Sequence, residues 1–175
     1  MVACVEKTVG LAMASREFVA IVGSVDASRE YEPPLAHVDS ANAACVQLGR
    51  ALAAAGYGIV VYSSDREFIE AAVVDGYLDA PEKVADGSIH VVYPGEHRSA
   101  ETNFVQQQSA LDSKFRLRRD ASRNWDVSFY RSLFEADAVL IVGGGRSSFT
   151  SGLVALSAEK AVVPVAAFGG RPSES

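Results

Sequence analysis

Short apolar runs alternate along the chain with segments of helical periodicity. The runs occupy residues 18–22, 59–62, 89–93, 138–142 and 161–167. Continuous apolar runs of this length are typical of strands that are buried on both faces of a parallel sheet. We expect the last of them to lie at a sheet edge or to end early, because Pro164 interrupts it and proline cannot donate a ladder hydrogen bond.

The segments between these runs predict helices. Residues 38–55 carry apolar side chains three and four positions apart, and Gly56 follows where a helix should end. Asp65 is a predicted N-cap of a helix that continues to Leu78. A short amphipathic helix should bury Phe129, Leu133 and Phe134, and a further helix over residues 149–160 should turn Leu153 and Leu156 inward.

This alternation predicts one Rossmann-like domain over residues 1–175, an α/β fold with a doubly wound, mainly parallel sheet of about five or more strands and helices on both faces. Residues 1–15 form a lead-in segment. Residues 96–124 are a variable insertion or lid, helical in part. Its basic residues belong to a solvated helix and loop or to a lid with a phosphate-binding arginine; they are Lys114, Arg116, Arg118, Arg119 and Arg123.

The composition narrows the classes of partner. The formal net charge of -6 disfavours broad binding to nucleic acid or to an anionic membrane surface. No apolar stretch is long enough to span a bilayer, and the N-terminal segment lacks the pattern of a signal peptide. We expect Cys4 and Cys45 to be reduced thiols with structural roles in a cytoplasmic protein.

Three predicted strands end in small residues, which is where ligands bind in open parallel sheets. Glycine lets the backbone approach a ligand, and the N-terminus of the following helix attracts anions. The strongest of these turns runs from Gly143 to Ser148. The predicted phosphate-binding residues are Gly23, Ser24, Ser63, Ser64, Gly143, Gly144, Gly145, Arg146, Ser147, Ser148 and Thr150, with Asp65, Arg131 and Gly169 as possible additions.

Other chemistry has weaker support. The glycine turn matches neither GxGxxG nor GxxxxGK[ST], which disfavours an ordinary dehydrogenase or P-loop NTPase, and its glycines could serve only a tight strand-to-helix connection. We expect no metal site, because His37, His90 and His97 lack metal-ligand spacing. The aromatic side chains of Trp125, Phe129 and Tyr130 could stack on a base or pack in the core.

The ordered segments resemble the SLOG superfamily, which includes Lonely Guy (LOG) proteins, Smf/DprA proteins and TRPM-type sensor domains. Residues 48–62, LGRALAAAGYGIVVY, are similar to the family segment LGxxLAxxGxxLVYGG, and residues 136–145, ADAVLIVGGG, are similar to ADAxIxLPGGxGT. The resemblance extends from about Phe18 to Gly170. It implies a nucleotide-binding Rossmann-like fold.

The resemblance also implies a glutamate and an arginine for N-glycosidic bond cleavage in LOG enzymes. Here the glutamate position of GGxGTxxE falls near Ser151, and the arginine position falls near Ser128, with Arg131 one turn further on. The second strand ends in Ser63 and Ser64 rather than Gly-Gly. The nearest carboxylate along the helix is Glu159, which we interpret as a surface residue.

We therefore expect a domain without catalytic residues that holds a nucleotide-derived signal, of the ADP-ribose or cyclic-nucleotide type, as in the sensor branch of the superfamily and in bacterial defence. It needs no cofactor, should form homo-oligomers and could be linked to an effector domain. Two alternatives remain: a phosphoribohydrolase or deoxyribosyltransferase-like enzyme with a relocated carboxylate, and a purely structural or oligomerising module.

Overall fold

The computed structural model describes residues 16–25, 38–82, 84–95, 104, 112–165 and 167–168. The predictions for the lead-in segment, Cys4, His37, His97 and Gly169, and for most of residues 96–111, lie outside the described residues. No helix in the described ranges combines the length and the apolar character that crossing a membrane would require.

A six-stranded parallel sheet forms the centre of the domain. Its strands are β1 (Phe18–Ser24), β2 (Gly58–Val61), β3 (Ile89–Tyr93), β4 (Phe115–Arg119), β5 (Ala138–Gly143) and β6 (Ala161–Val165). The described α-helices are α1 (Val38–Ala54), α2 (Ile69–Leu78), α3 (Trp125–Ser132) and α4 (Arg146–Ser157). Single 3-10 turns occupy Asp112–Lys114 and Leu133–Glu135.

The strand order β4-β3-β2-β1-β5-β6 places β1 at the point where the chain reverses its direction of winding. Side chains alternate across the sheet, so Val19 and Ile21 pack in a core with α1 and α2. Ala20 and Val22 pack in a second core with α3 and α4. The predicted doubly wound α/β fold with helices on both faces is confirmed. Pro164 lies in the edge strand β6, as expected.

Helices α1 and α2 approach each other closely through two glycines. A Cβ added to Gly49 would collide with the carbonyl oxygen of Val73, and one added to Gly76 would collide with the carbonyl oxygen of Val46. Cys45 is buried beside this crossing, and burial raises the pKa of its thiol to about 11. The thiol is therefore protonated at neutral pH, consistent with the structural role predicted for it.

Strand β4 replaces the helix that was predicted within residues 96–124, at least over its described part. It pairs with β3 along its whole length, and three of the basic residues beside and within it bond to neighbouring structure. Lys114 forms an ion pair with Asp86, and Arg118 forms one with Glu135. Arg119 donates to the carbonyl oxygen of Gly95. Charged side chains suit an exposed edge strand, because they discourage pairing with another sheet.

Helix α4 differs from its prediction in start and in orientation. It begins at Arg146 rather than at residue 149, and Leu153 and Leu156 are 53% and 59% exposed. The helix instead buries small residues against the sheet, namely Ser148, Ser151, Gly152 and Ala155. Small side chains let the helix lie close to the sheet, and this contact overrides the apolar stripe.

Two smaller predictions were also wrong. Helix α2 begins at Ile69 without a side-chain cap, and the Asp65 side chain instead accepts the Glu67 N–H at 3.0 Å, which stabilises the preceding turn. Phe134 is 56% exposed because α3 ends at Ser132 and the chain continues into a tighter 3-10 turn.

We expect Gly76→Ala to destabilise the protein by about 1–3 kcal/mol, because a methyl group at this position overpacks the α1–α2 crossing. Gly152→Ala in α4 is the matched control. Its new Cβ would meet only the end of the Ile141 side chain at 3.2 Å, and alanine favours the helix. Urea unfolding of both variants measures the difference. Equal stability of the two variants would contradict the close crossing.

Candidate functional site

Two turns lie side by side where the strand order reverses. Ser24 at the end of β1 is in register with Gly143 at the end of β5, and the Gly144 N–H donates to the Ser24 carbonyl oxygen at 2.9 Å. In doubly wound folds the ligand crevice lies at this reversal, beyond the carboxyl ends of the strands. The fold therefore places two of the three predicted turns side by side.

Packing explains part of the glycine content of these turns. Gly144 has a φ of +87°, and a Cβ there would collide with the Ser148 side chain. A Cβ on Gly23 would collide with the carbonyl oxygen of Val142. These two glycines meet a steric need of the β1–β5 contact. A Cβ on Gly145 would meet no atom within 4 Å, so the approach to α4 is open at this residue.

The N-terminus of α4 faces a cavity. Gly145 is its N-cap and provides no side-chain hydrogen bond, and the first turn contains no acidic residue. The first N–H groups of a helix have no partner within the helix and carry a partial positive charge. Arg146 is exposed beside them and forms no ion pair with any residue in the described ranges. This combination suits an anion such as phosphate.

The cavity has a volume of about 380 Å³ and lies at the strand-order reversal. Its walls come from β1, β2, α2, α3 and α4. The lining residues are Val22, Gly23, Ser24, Tyr62, Ser63, Phe68, Glu70, Trp125, Phe129, Gly145, Arg146, Ser147 and Ser148. The volume is near the lower end of the roughly 300–1,000 Å³ that small-molecule sites occupy.

Three aromatic rings form one wall of the cavity. The Tyr62 ring meets the Trp125 ring edge-on, with centroids 5.1 Å apart, and Trp125 stacks on Phe129 at 5.2 Å. The Tyr62 hydroxyl donates to the Trp125 carbonyl oxygen at 3.2 Å, which ties β2 to α3. Phe129 is 7% exposed and belongs to the core, whereas Trp125 is 37% exposed. Trp125 thus combines a fixed position with an accessible surface.

Sequence reasoning missed Glu70, a buried carboxyl in the first turn of α2. It is 3% exposed and lines the cavity. Its two oxygens accept the Tyr62 N–H at 3.2 Å and the Ser63 N–H at 2.7 Å. Burial raises its pKa to about 8, while the two backbone hydrogen bonds act in the opposite direction. The available signal was one charged residue within the apolar stretch FIEAAVV.

The predicted site residues divide into three groups. The cavity is lined by Gly23, Ser24, Ser63, Gly145, Arg146, Ser147 and Ser148. Gly143, Gly144, Ser64, Asp65, Thr150 and Arg131 do not line it, and Gly169 lies outside the described residues. The Thr150 hydroxyl donates to the Arg146 carbonyl oxygen at 3.0 Å within α4. Arg131 is 3.5 Å from the carboxylate of Asp120.

Serine residues occupy the two positions at which the resemblance implied catalytic residues. Ser151 is fully buried, and its hydroxyl donates to the Ser147 carbonyl oxygen at 2.9 Å. Ser128 is fully buried in α3. Glu159 lies on the surface after the end of α4, as its interpretation required.

Metal-binding and histidine chemistry have no support at this site. The described ranges contain no group of three His, Cys, Asp or Glu side chains that could hold a metal ion. His90 lies in β3 and stacks on the Phe18 ring, with centroids 4.1 Å apart. Burial, with a contribution from Arg116, lowers the pKa of His90 to about 4, so this side chain is neutral at pH 7.

The fold is similar to those of several solved structures. TM1055 is 20% identical over 88% of this chain and 76% of its own, with a TM-score of 0.59. DNA processing protein A from Helicobacter pylori, described as binding single-stranded DNA, is 15% identical over 88% of this chain and 68% of its own, with a TM-score of 0.58. A molybdenum cofactor binding protein from Rippkaea orientalis is 12% identical over 86% of this chain and 77% of its own, with a TM-score of 0.58.

No protein-family model and no curated protein matches the sequence. At identities of 12–20%, the structural similarities show the fold and leave the ligand open. These similarities confirm the Rossmann-like α/β fold that the sequence motifs implied.

The raised pKa of Glu70 predicts a dependence of stability on pH. Because its pKa is about 8 in the folded chain and near 4.5 without burial, the favourable contribution of the neutral carboxyl is complete below pH 4.5. It decreases as the pH rises from 4.5 to 8, by at most about 1.4 kcal/mol per pH unit. We expect Glu70→Gln to remove this decrease in urea unfolding between pH 5 and pH 8. An unchanged profile would show that the Glu70 pKa is not raised.

Proposed function

We propose that this domain binds a nucleotide-derived small molecule in the cavity at the β1–β5 reversal and acts as a sensor or regulatory domain. The observation that carries the proposal is the combination of two features in one cavity. One is a helix N-terminus without a side-chain cap beside an exposed arginine, and the other is an accessible tryptophan on an aromatic wall. A phosphate and a planar ring are the two parts that every nucleotide contains.

The phosphate would occupy the end of the cavity at α4. There Gly145, Arg146, Ser147 and Ser148 line the cavity, and they offer backbone N–H groups, hydroxyls and a guanidinium to an anion. Backbone N–H groups and a guanidinium together form charge-assisted hydrogen bonds to phosphate oxygens. The net charge of -6 restricts this binding to a local site, since a broad surface field would repel polyanions.

The planar ring would lie against Trp125. Stacking of a base on an aromatic side chain stabilises binding by roughly 1–3 kcal/mol. Trp125 is held by the Phe129 ring behind it and by the Tyr62 hydroxyl, so little conformational entropy is lost when a ring stacks on it.

A sensing role follows from the chemistry at α4. Ser151 stands where LOG-type cleavage needs a glutamate, and its hydroxyl is already bonded within the helix. The proposal in its most specific form adds four points. The ligand is of the ADP-ribose or cyclic-nucleotide type, the protein is cytoplasmic, an effector domain is linked to it, and it acts in bacterial defence. The described relatives include a molybdenum cofactor binding protein and a single-stranded DNA binding protein, which supports a ligand-binding cavity on this fold.

Glu70 favours one alternative, an N-glycosidic hydrolase with a relocated carboxyl. In such a reaction water adds to C1′ of the sugar, the C1′–N bond breaks, and Glu70 donates its proton to the departing base. The proton that the water loses then returns to the Glu70 carboxylate. Chromatography of a nucleoside monophosphate incubated with the protein tests this. Release of free base that Glu70→Gln abolishes would establish the enzyme, and intact nucleotide together with binding supports the sensor.

Arg146→Ala should weaken nucleotide binding by about 1.5–3 kcal/mol, roughly tenfold to 150-fold, because a charge-assisted phosphate contact is lost. Calorimetry with adenosine and guanosine monophosphates and with ADP-ribose measures the change. Arg66→Ala is the control, since Arg66 pairs with Asp75 and does not line the cavity. Unchanged affinity in Arg146→Ala would remove this arginine from the site, and no binding of any probe to the unaltered protein would overturn the proposed function.

The expected homo-oligomer stays a prediction. The surface to test is the outer face of α4, where Phe149, Leu153 and Leu156 are all more than half exposed. If this face joins two copies, Leu153→Glu should shift the protein to a monomer in analytical ultracentrifugation. Val127→Glu is the matched control, because it places the same charge on an exposed apolar residue of a different helix, α3, and it should leave the assembly unchanged. A monomeric unaltered protein would contradict the prediction.

A further inference from the structure

We propose that Glu70 selects ligands whose ring edge presents two adjacent N–H donors, as the Watson–Crick edge of guanine does. This inference rests on the proposed function, because it concerns the same cavity and the same class of ligand. It adds a residue that determines specificity and a chemical class for the ring.

Glu70 is a carboxyl that the fold has placed inside the cavity at a cost. It is 3% exposed, and transfer of a carboxylate out of water is unfavourable unless hydrogen bonds replace the lost hydration. The Tyr62 and Ser63 N–H groups provide two such bonds, one to each oxygen. No described cation forms an ion pair with it.

The hydrogen bonds to the backbone leave half of the acceptor capacity unused. Above its pKa of about 8, the ionised Glu70 carboxylate has about four lone-pair sites and can accept two parallel donors, as a carboxylate does from arginine. The backbone takes one site on each oxygen, so each oxygen retains one. Two remaining acceptors on one planar group match two neighbouring N–H groups on a planar ring, which is the pattern of N1–H and the 2-amino group in guanine.

The spacing across the sheet fits a nucleotide. Glu70 follows β2 and Arg146 follows β5, and these two strands flank β1. Adjacent strands are about 4.8 Å apart, so the elements that carry the two side chains leave the sheet roughly 10 Å apart. A nucleoside monophosphate with its phosphate at α4 has a length suited to bring its base edge toward α2. Trp125 and Phe129 line the same cavity and supply the stacking surface.

A purely structural role for Glu70 would be the anchoring of α2 to the end of β2. Glutamate suits that role too, because it offers two acceptors to two backbone donors. The structural role, however, makes no distinction between purines that differ by one amino group. Ligand selectivity is therefore the property that separates the two roles.

The experiment compares guanosine, inosine and adenosine 5′-monophosphates at pH 8.5, above the pKa of about 8 that burial gives Glu70, so that the carboxylate form predominates. Inosine monophosphate keeps N1–H and lacks the 2-amino group, and adenosine monophosphate has an acceptor at N1. Trp125 is the only tryptophan of the chain, so quenching of its fluorescence reports occupancy of this cavity directly. We expect guanosine monophosphate to bind at least about tenfold more tightly than either of the others, as the loss of a hydrogen bond to a charged group implies.

Binding measurements on the unaltered protein alone can test the proposal, so the test does not depend on whether a variant folds. Similar affinities for the three nucleotides, or a preference for adenosine monophosphate, would overturn the role of Glu70 and leave the proposed function intact. Absence of quenching and of calorimetric heat with all three, and with ADP-ribose as well, would instead overturn the proposed function.

The Glu70→Gln variant provides a second, independent test of the proposal. Glutamine offers one acceptor where the carboxylate offers two, so the preference for guanosine monophosphate should fall to within about threefold, with binding of inosine monophosphate retained. Glu67→Gln is the matched control, because Glu67 is exposed and does not line the cavity. A preference that persists in a folded Glu70→Gln protein, with its melting transition intact, would overturn the proposal.

Discussion

The pairing of β1 with β5 is the interaction on which the rest of the site depends. Its register aligns Ser24 with Gly143, and the chain continues the ladder by one further hydrogen bond from Gly144 to Ser24. The sheet reverses its order of winding at this pair, so α2 and α4 leave the sheet on either side of one crevice. Any side chain that enlarged Gly23 would push the two strands apart, because the Val142 carbonyl oxygen lies against it.

Sequence patterns predicted the elements that are defined by local chemistry. The buried strands and α1 are continuous or periodic apolar segments, and they lie where the patterns placed them. Strand β4 could not be recognised, because FRLRR has one buried residue and four exposed ones and depends on pairing with β3. The prediction of which face of α4 is buried was wrong for a related reason. Its small residues meet the sheet, and apolar periodicity does not measure how closely two backbones can approach.

The residues of the candidate site also fall into those that local sequence predicts and those that only the folded sheet brings together. The turn at α4 could be predicted because its glycine, serine and arginine residues are consecutive in the sequence. Gly145 to Ser148 do line the cavity. The other half of the cavity joins Tyr62, Glu70 and Trp125, which are separated in sequence and meet only after the sheet forms. The role of Glu70 in the cavity was hard to predict, because a glutamate in the first turn of a helix is also explained by its favourable interaction with the helix dipole.

The two charged groups of the cavity differ in exposure to solvent, and this difference determines the orientation in which a ligand can bind. Arg146 is exposed, so its guanidinium can attract an anion from solution. Glu70 is buried, and burial raises its pKa to about 8 against the effect of two backbone N–H donors. Further donors from a ligand would add to those two and favour the carboxylate, whereas an apolar edge would leave the cost of burying the carboxylate unopposed. A ligand with phosphate at one end and N–H donors at the other satisfies both groups in only one orientation.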